Sequence, residues 1–221
     1  MISVKFPEIK EASRKVFENA PPTHDFSHTM RVLTMCIHIG KDEHADLEIL
    51  EAAALLHDIA REEADRNGTC HAKLSAEKAL PVLETSSFPN DKIPQVIHCI
   101  ATHRFRSDKP PLSLEAKILF DADKLDALGA IGICRAYAYC GENGQRLYNP
   151  FTIDDIKNPS STRPKRITDH SSHTPIIEFR KKLVHLKDRL FTDCAKAIAD
   201  ERHKFMVDFF LRLYDEINGS R

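Results

Sequence analysis

The sequence lacks several features that would settle its class quickly. Its six cysteines, at positions 36, 70, 99, 134, 140 and 194, include no C-x-x-C pair. With 42% hydrophobic residues over 221 positions, the chain has no need of a disulfide scaffold, so free thiols in a reducing compartment are expected. Uncharged apolar runs such as Ala52 to Leu56 fall far below the roughly 20 residues that span a bilayer. Neither sign of charge prevails: 32 Lys and Arg face 33 Asp and Glu, a net charge of -1. That balance disfavours a basic nucleic-acid binder and an acidic tail protein alike. No alternating run is bounded by a hairpin turn, and the segments around Asn143-Gly144 do not alternate. The opening MISVKFPEIKEASRK carries charge through its apolar pattern and has no apolar h-region, so no signal peptide is expected. Together these absences predict a soluble cytoplasmic protein without a membrane partner.

What is present is helical periodicity. Ile9, Ala12, Val16 and Ala20 recur three or four apart, and Pro21-Pro22 stops that helix. Further helices are predicted over about 25–43, 46–63, 72–83, 92–103, 114–139, 175–190 and 192–217, with Pro81 bending or ending the fourth. The fold class is therefore all-α, a compact bundle. The length fits one domain over 1–221. Residues 141–174 differ, with Pro150, Pro159, Pro164, Gly141 and Gly144 among many small polar residues. That stretch reads as a loop-rich insertion, either a solvated loop or a lid whose Arg163, Lys165 and Arg166 grip phosphate.

The chain carries 12 histidines, about double an average complement. Polar groups enter apolar helices at three places: His28, the dipeptide His57-Asp58 directly after Ala52–Leu56, and Asp123 within ILFDADKLD. Burying a lone carboxylate costs many kcal/mol unless it is paired, hydrogen-bonded or metal-bound. A divalent cation where the three helices converge would resolve all three burials. Two histidines and two aspartates suit Mn, Fe, Co or Ni, with Mg or Zn admissible, and leave room for water or substrate. Adjacent helical residues point about 100° apart, so His57 and Asp58 reach one ion only if it lies between their directions.

In its longer motifs the sequence resembles the HD-domain metal-dependent phosphohydrolases, in their YedJ/YpgQ-like branch. The similarity runs through HDFSHTMRV at 24–32, AALLHD at 53–58, EAKILFDADKLDALGAIG at 115–132 and ADERHKFM at 199–206. It covers nearly the whole chain. The resemblance implies an HD-domain helical core and metal ligands at His28, His57, Asp58 and Asp123. Asp121 and Asp126 compete for the last place. Asp123 is preferred because Asp-Lys-x-Asp at 123–126 resembles the dNTP triphosphohydrolases, where the first Asp binds metal and the following Lys contacts phosphate. Asp126 then supports the site from one turn away, and Asp121 is expected to cap or pair at the surface. The absence of a His-His dipeptide and of Gly-Tyr-Pro points away from binuclear cyclic-dinucleotide phosphodiesterases. One metal ion is expected.

The implied reaction is hydrolysis by a metal-activated water, foremost of a nucleoside triphosphate to monophosphate and pyrophosphate. A phosphomonoesterase such as a 5'-nucleotidase is the enzymatic alternative, and a non-catalytic metal- and nucleotide-binding regulatory module is the other. Glu62, four residues after Asp58, could orient or deprotonate the water, or pair with Arg66. Lys124, His71, His103 and Arg31 are candidate substrate contacts. His24 could support His28. Tyr137 and Tyr139 could stack on a base or pack in the core. A homodimer is an open expectation.

Overall fold

The structure is a computed structural model and describes residues 4–18, 20, 25–104, 110–158 and 173–221. Every regular element among them is helical and none is a strand, in agreement with the all-α expectation. The chain divides into two compact units, Met1–Asp123 and Lys124–Arg221.

The first unit holds α1 (Pro7–Val16), α2 (Phe26–Asp42), α3 (Leu47–Leu56), α4 (Arg61–Asn67), α5 (His71–Glu84), α6 (Ile93–Thr102) and most of α7 (Leu114–Leu125). The sequence of α3, LEILEAAALL, is apolar on nearly all sides, and Ile49–Leu56 are all buried. Such a helix must be surrounded, and α3 packs against α1, α2, α5 and α6. At Gly40 the backbone of α2 comes so close to α3 that an added Cβ would stand 2.4 Å from Leu50 Cδ1. Any larger residue would force the Leu50 and Leu47 side chains to shift. The one acid within the buried stretch of α3, Glu51, has its carboxylate occupied by the backbone N–H groups of Phe6 (2.8 Å) and Lys5 (3.1 Å).

The single helix expected over 46–63 is broken. Residues 57–60 form a turn between α3 and α4. The cause lies in the hydrogen bonds. Ile59 N–H bonds Leu56 C=O at 3.4 Å, one residue short of the α-helical spacing. Ala60 N–H, which would continue the ladder to Leu56, is instead taken by Ser75 Oγ on α5 at 3.1 Å. A tertiary bond thus interrupts a helix whose local propensity would carry it on. Elsewhere in this unit, α5 runs from His71 to Glu84 with Pro81 in its last turn, and α6 runs one residue short of prediction at each end.

The second unit holds the end of α7, α8 (Gly129–Glu142), α9 (Ile153–Lys157), α10 (Pro175–Lys181) and α11 (Asp193–Ile217). The helix expected over 114–139 is also two. Asp126 is buried with its carboxylate on Arg135 Nη1 at 2.8 Å. Arg202 of α11 donates to the Leu125 carbonyl, which also accepts from Leu128 N–H at 3.1 Å in the turn that ends α7. Gly129 then starts α8 with φ +71°, and a Cβ there would stand 3.0 Å from Arg202 Cγ. Of the helix expected over 175–190, only α10 is α-helical. Two 3-10 turns, Leu183–His185 and Lys187–Arg189, follow it. Phe179 of α10 and Phe209 of α11 flank Phe210, with ring centroids 4.8 and 5.3 Å away. Within the expected loop 141–174, α9 forms behind a capping box of Thr152 and Asp155 and buries Ile156. Arg163, Lys165, Arg166 and His24 lie outside the described residues.

Candidate metal centre

Local signals position each polar group. Asp25 caps α2 by accepting from Ser27 N (3.0 Å) and His28 N (3.3 Å), which sets His28 in the first turn. His57 and Asp58 leave α3 at its C-terminal end, so they do not sit as successive residues on a helix surface. Their shared reach comes from the 57–60 turn rather than from a point between two helical directions. His71 is the first residue of α5, and His103 caps the end of α6.

These residues converge on Asp58. On one side, Asp58 Oδ2 stands 3.8 Å from His28 Nε2 and 3.7 Å from His57 Nε2. The two imidazole nitrogens are 3.3 Å apart. Asp123 Oδ1 adjoins the group 3.6 Å from His28 Nε2. On the other side, Asp58 Oδ1 stands 3.3 Å from His71 Nε2 and 3.5 Å from His103 Nε2, themselves 3.2 Å apart. Each side brings three ligand atoms within 4.8 Å of one another: His28, His57 and Asp58, then Asp58, His71 and His103. Asp58 Oδ1 is buried and makes no well-directed hydrogen bond.

The ring tautomers follow from the backbone. His57 Nδ1 lies 2.8 Å from the Ala54 carbonyl and His103 Nδ1 lies 2.7 Å from the Ile100 carbonyl. A carbonyl only accepts, so Nδ1 carries the proton and Nε2 of the neutral ring turns a lone pair inward. Burial pushes the His57 imidazole down to about 4 and the His71 imidazole down to about 2, against the pull of Asp58. Burial alone would raise the Asp58 carboxyl, but His57 and Arg61 outweigh it and hold it well below the usual carboxylate range. An imidazole held neutral at His57 beside an ionised Asp58 is the pair of protonation states that metal ligation requires. The residues fit a divalent cation.

The other expected site residues are placed differently. Glu62 is a correction: its side chain is 74% exposed and pairs with Arg66 at 2.9 Å, so it does not face the cluster. Asp121 is fully buried, not a surface pair. Asp126 serves the turn between α7 and α8 by binding Arg135. Arg31 donates to Ser27 Oγ at 2.8 Å. Lys124 is half-buried and begins the second unit. Tyr137 stacks edge-on to Phe209 and Tyr139 to His173. Sequence reasoning missed Arg61, whose Nη1 lies 3.1 Å from Asp58 Oδ2. Its spacing of three residues from Asp58 was the available signal.

The HD domain model matches residues 25–128, which span His28, His57-Asp58, His71, His103 and Asp123. Protein YpgQ of Bacillus subtilis is 32% identical over 216 residues, covering 96% of this chain and 93% of that protein. The chain belongs to the HD-domain family of metal-dependent phosphohydrolases. Solved structures of HD proteins are similar to it throughout. The B. subtilis YpgQ structure in complex with ADP has a TM-score of 0.69 at 29% identity, covering 95% of this chain and 93% of that one. An HD-superfamily hydrolase from Bacillus thuringiensis has a TM-score of 0.71 at 32% identity, covering 96% of each chain. Among the described residues of this HD protein, no helix is long and apolar enough to cross a membrane.

Proposed function

We propose that this HD-domain protein hydrolyses nucleotides, cutting a nucleoside triphosphate to the monophosphate and pyrophosphate with one divalent metal ion. The observation that carries the reading is the pair of histidines His57 and His28 with Nε2 atoms 3.3 Å apart beside the ionised Asp58, His57 being locked by Ala54 C=O into the ligating tautomer. His28, His57, Asp58 and Asp123 would hold the ion. When bound, such an ion supplies Lewis-acid polarisation of a phosphoryl oxygen and a lowered pKa for the attacking water. Mn, Fe, Co or Ni suits this mixed nitrogen and oxygen set.

The chain's own residues do the rest. The Ala54 carbonyl keeps the His57 ring from turning. Asp58 remains an anion at neutral pH, so the site keeps its charge without a proton to lose. His71 and His103 line the second oxygen of Asp58 and are placed to meet substrate there. With Glu62 in solvent, no general base is assigned to it. Support for a nucleotide comes from the related YpgQ, whose structure was solved with ADP.

A metal-by-substrate panel tests the reading. Chelator-stripped protein would receive Mn, Co, Ni, Mg or Zn singly, with nucleoside tri-, di- and monophosphates offered to each. Monophosphate plus pyrophosphate is the expected product pair. Inorganic phosphate released from monophosphates would replace the reading with a phosphomonoesterase. Tight metal binding with no turnover of any nucleotide would sink it.

A further inference from the structure

We infer that Ser13 and Ser75 are positioning residues of the metal centre, two buried hydroxyls that hold the 57–60 turn and so fix where His57 and Asp58 stand. The inference rests on the reading of His57 and Asp58 as metal ligands and names residues which that reading does not use. Both serines are fully buried, Ser13 on α1 and Ser75 on α5. Two hydrogen bonds would carry α3 on through the turn: Ile59 N–H to Leu55 C=O and Ala60 N–H to Leu56 C=O. Each has one partner engaged by a serine. Ser13 Oγ donates to Leu55 C=O at 2.6 Å, and Ala60 N–H donates to Ser75 Oγ at 3.1 Å. The turn closes on shorter spacings instead, Ile59 N–H to Leu56 C=O at 3.4 Å and Arg61 N–H to Asp58 C=O at 2.9 Å.

Two uses of a buried serine are open: satisfying its own hydroxyl, or shaping the backbone it bonds. Geometry separates them. A helical serine has an acceptor within reach on its own helix, the carbonyl four residues back. Ser13 donates to α3 instead, 42 residues along the chain. Ser75 takes an amide that its own helix does not supply, from an Ala60 that is itself buried. The two bonds fall on successive rungs of one helical ladder and come from two different helices packed against α3. The helix α5 also holds the turn at two points. His71 and Ser75 lie four residues apart on one face. His71 Nε2 stands 3.3 Å from Asp58 Oδ1, and Ser75 holds the amide two residues beyond Asp58. Were α3 to run on, the backbone beneath Asp58 would rewind. Its Oδ2 would then leave its place 3.8 Å from His28 Nε2 and 3.7 Å from His57 Nε2. Metal ligands lose affinity when the groups that orient them are removed, even with every ligand present.

The test uses the full chain, stripped of metal: wild type, Ser13→Ala, Ser75→Ala, the double variant and Asp58→Ala. Calorimetric titration with Mn reads the affinity of each. The Cα chemical shifts of residues 57–60, measured by NMR without metal, read whether the turn has become helix. Ser75→Ala should bind Mn about tenfold more weakly, and the double variant up to about a hundredfold more weakly. In both, the shifts at 57–60 should move to helical values, a signature that general destabilisation would not produce. Mn affinity within about twofold of wild type in Ser75→Ala and the double variant, with Mn lost in Asp58→Ala, overturns the inference and leaves the ligands standing. Weaker Mn binding with unmoved shifts at 57–60 overturns it as well, because the serines would then act by some route other than the turn. Unchanged Mn affinity in Asp58→Ala would sink the ligand assignment, and this inference with it.

Discussion

His57 is the residue on which the centre's pH behaviour turns. Its imidazole goes from an ordinary 6.5 to about 4 on burial. The unfolded chain therefore binds more protons than the folded one between those two values, and stability must fall as pH drops through that window. The shift corresponds to about 3 kcal/mol once both forms are passed. The depressed Asp58 carboxyl acts in the same direction at lower pH still. Metal-free protein should lose thermal stability steadily from pH 7 to pH 4, while His57→Gln, which cannot titrate, should show a shallower slope. Differential scanning calorimetry across that range checks it, and equal slopes would refute it. At this scale the sequence was informative about which side chains come together and poor on their partners. His28, His57, Asp58, His71 and His103 all meet. Glu62 was drawn toward the site by its spacing from Asp58, but Asp58 lies in the 57–60 turn and Glu62 on α4, so the spacing carries no shared face. Arg61 was passed over because one position beside a turn looks like any surface arginine.

Element boundaries show where local pattern stops being sufficient. The helices were legible from three-and-four spacing, and α2, α5, α6 and α11 end within a residue or two of expectation. The breaks after α3 and α7 were not, because their causes are distant in sequence: Ser75 takes the Ala60 N–H, and Arg202 takes the Leu125 carbonyl. No window around residue 60 or 126 contains either partner. The second break separates two neighbouring aspartates by role. Asp123 stays on α7 beside His28, and Asp126 binds Arg135 across the turn. Asp126→Ala should cost about 1–3 kcal/mol by leaving Arg135 with a lost partner, and should leave Mn affinity within about twofold. Asp123→Ala should do the reverse, weakening Mn binding with little change in the stability of stripped protein. Chemical denaturation and metal titration of both variants decide the matter, and metal loss in Asp126→Ala would exchange the two assignments.

At the scale of the whole molecule, the net charge of -1 says nothing of where charge is held. Every group proposed to touch the ion belongs to the first unit, drawn from α2, the turn after α3, and α7, with α5 and α6 bringing His71 and His103. These segments lie far apart along the chain, which is why composition pointed to a globular helical protein and only the spaced motifs pointed to chemistry. Polar residues that serve the architecture, such as Glu51 and Asp126, are indistinguishable in one sequence from those that serve the centre. Their bonding partners separate them.

Glu51 carries a consequence for the start of the chain. Its buried carboxylate is satisfied by the amides of Lys5 and Phe6 and lies six residues before His57. Lys5 and Phe6 thus plug the side of α3 where Glu51 is buried. A chain begun at Pro7 would keep every helix and every ligand, yet would leave an anion stranded in an apolar helix. Such a chain should lose roughly 1–3 kcal/mol or more of stability. Glu51→Gln should not rescue it, since the amide would still lack the two backbone donors; Glu51→Leu, which has nothing left to satisfy, should recover the share due to Glu51 and leave only the loss of the buried Phe6 ring. A truncated chain as stable as the full one would show that the plug is dispensable.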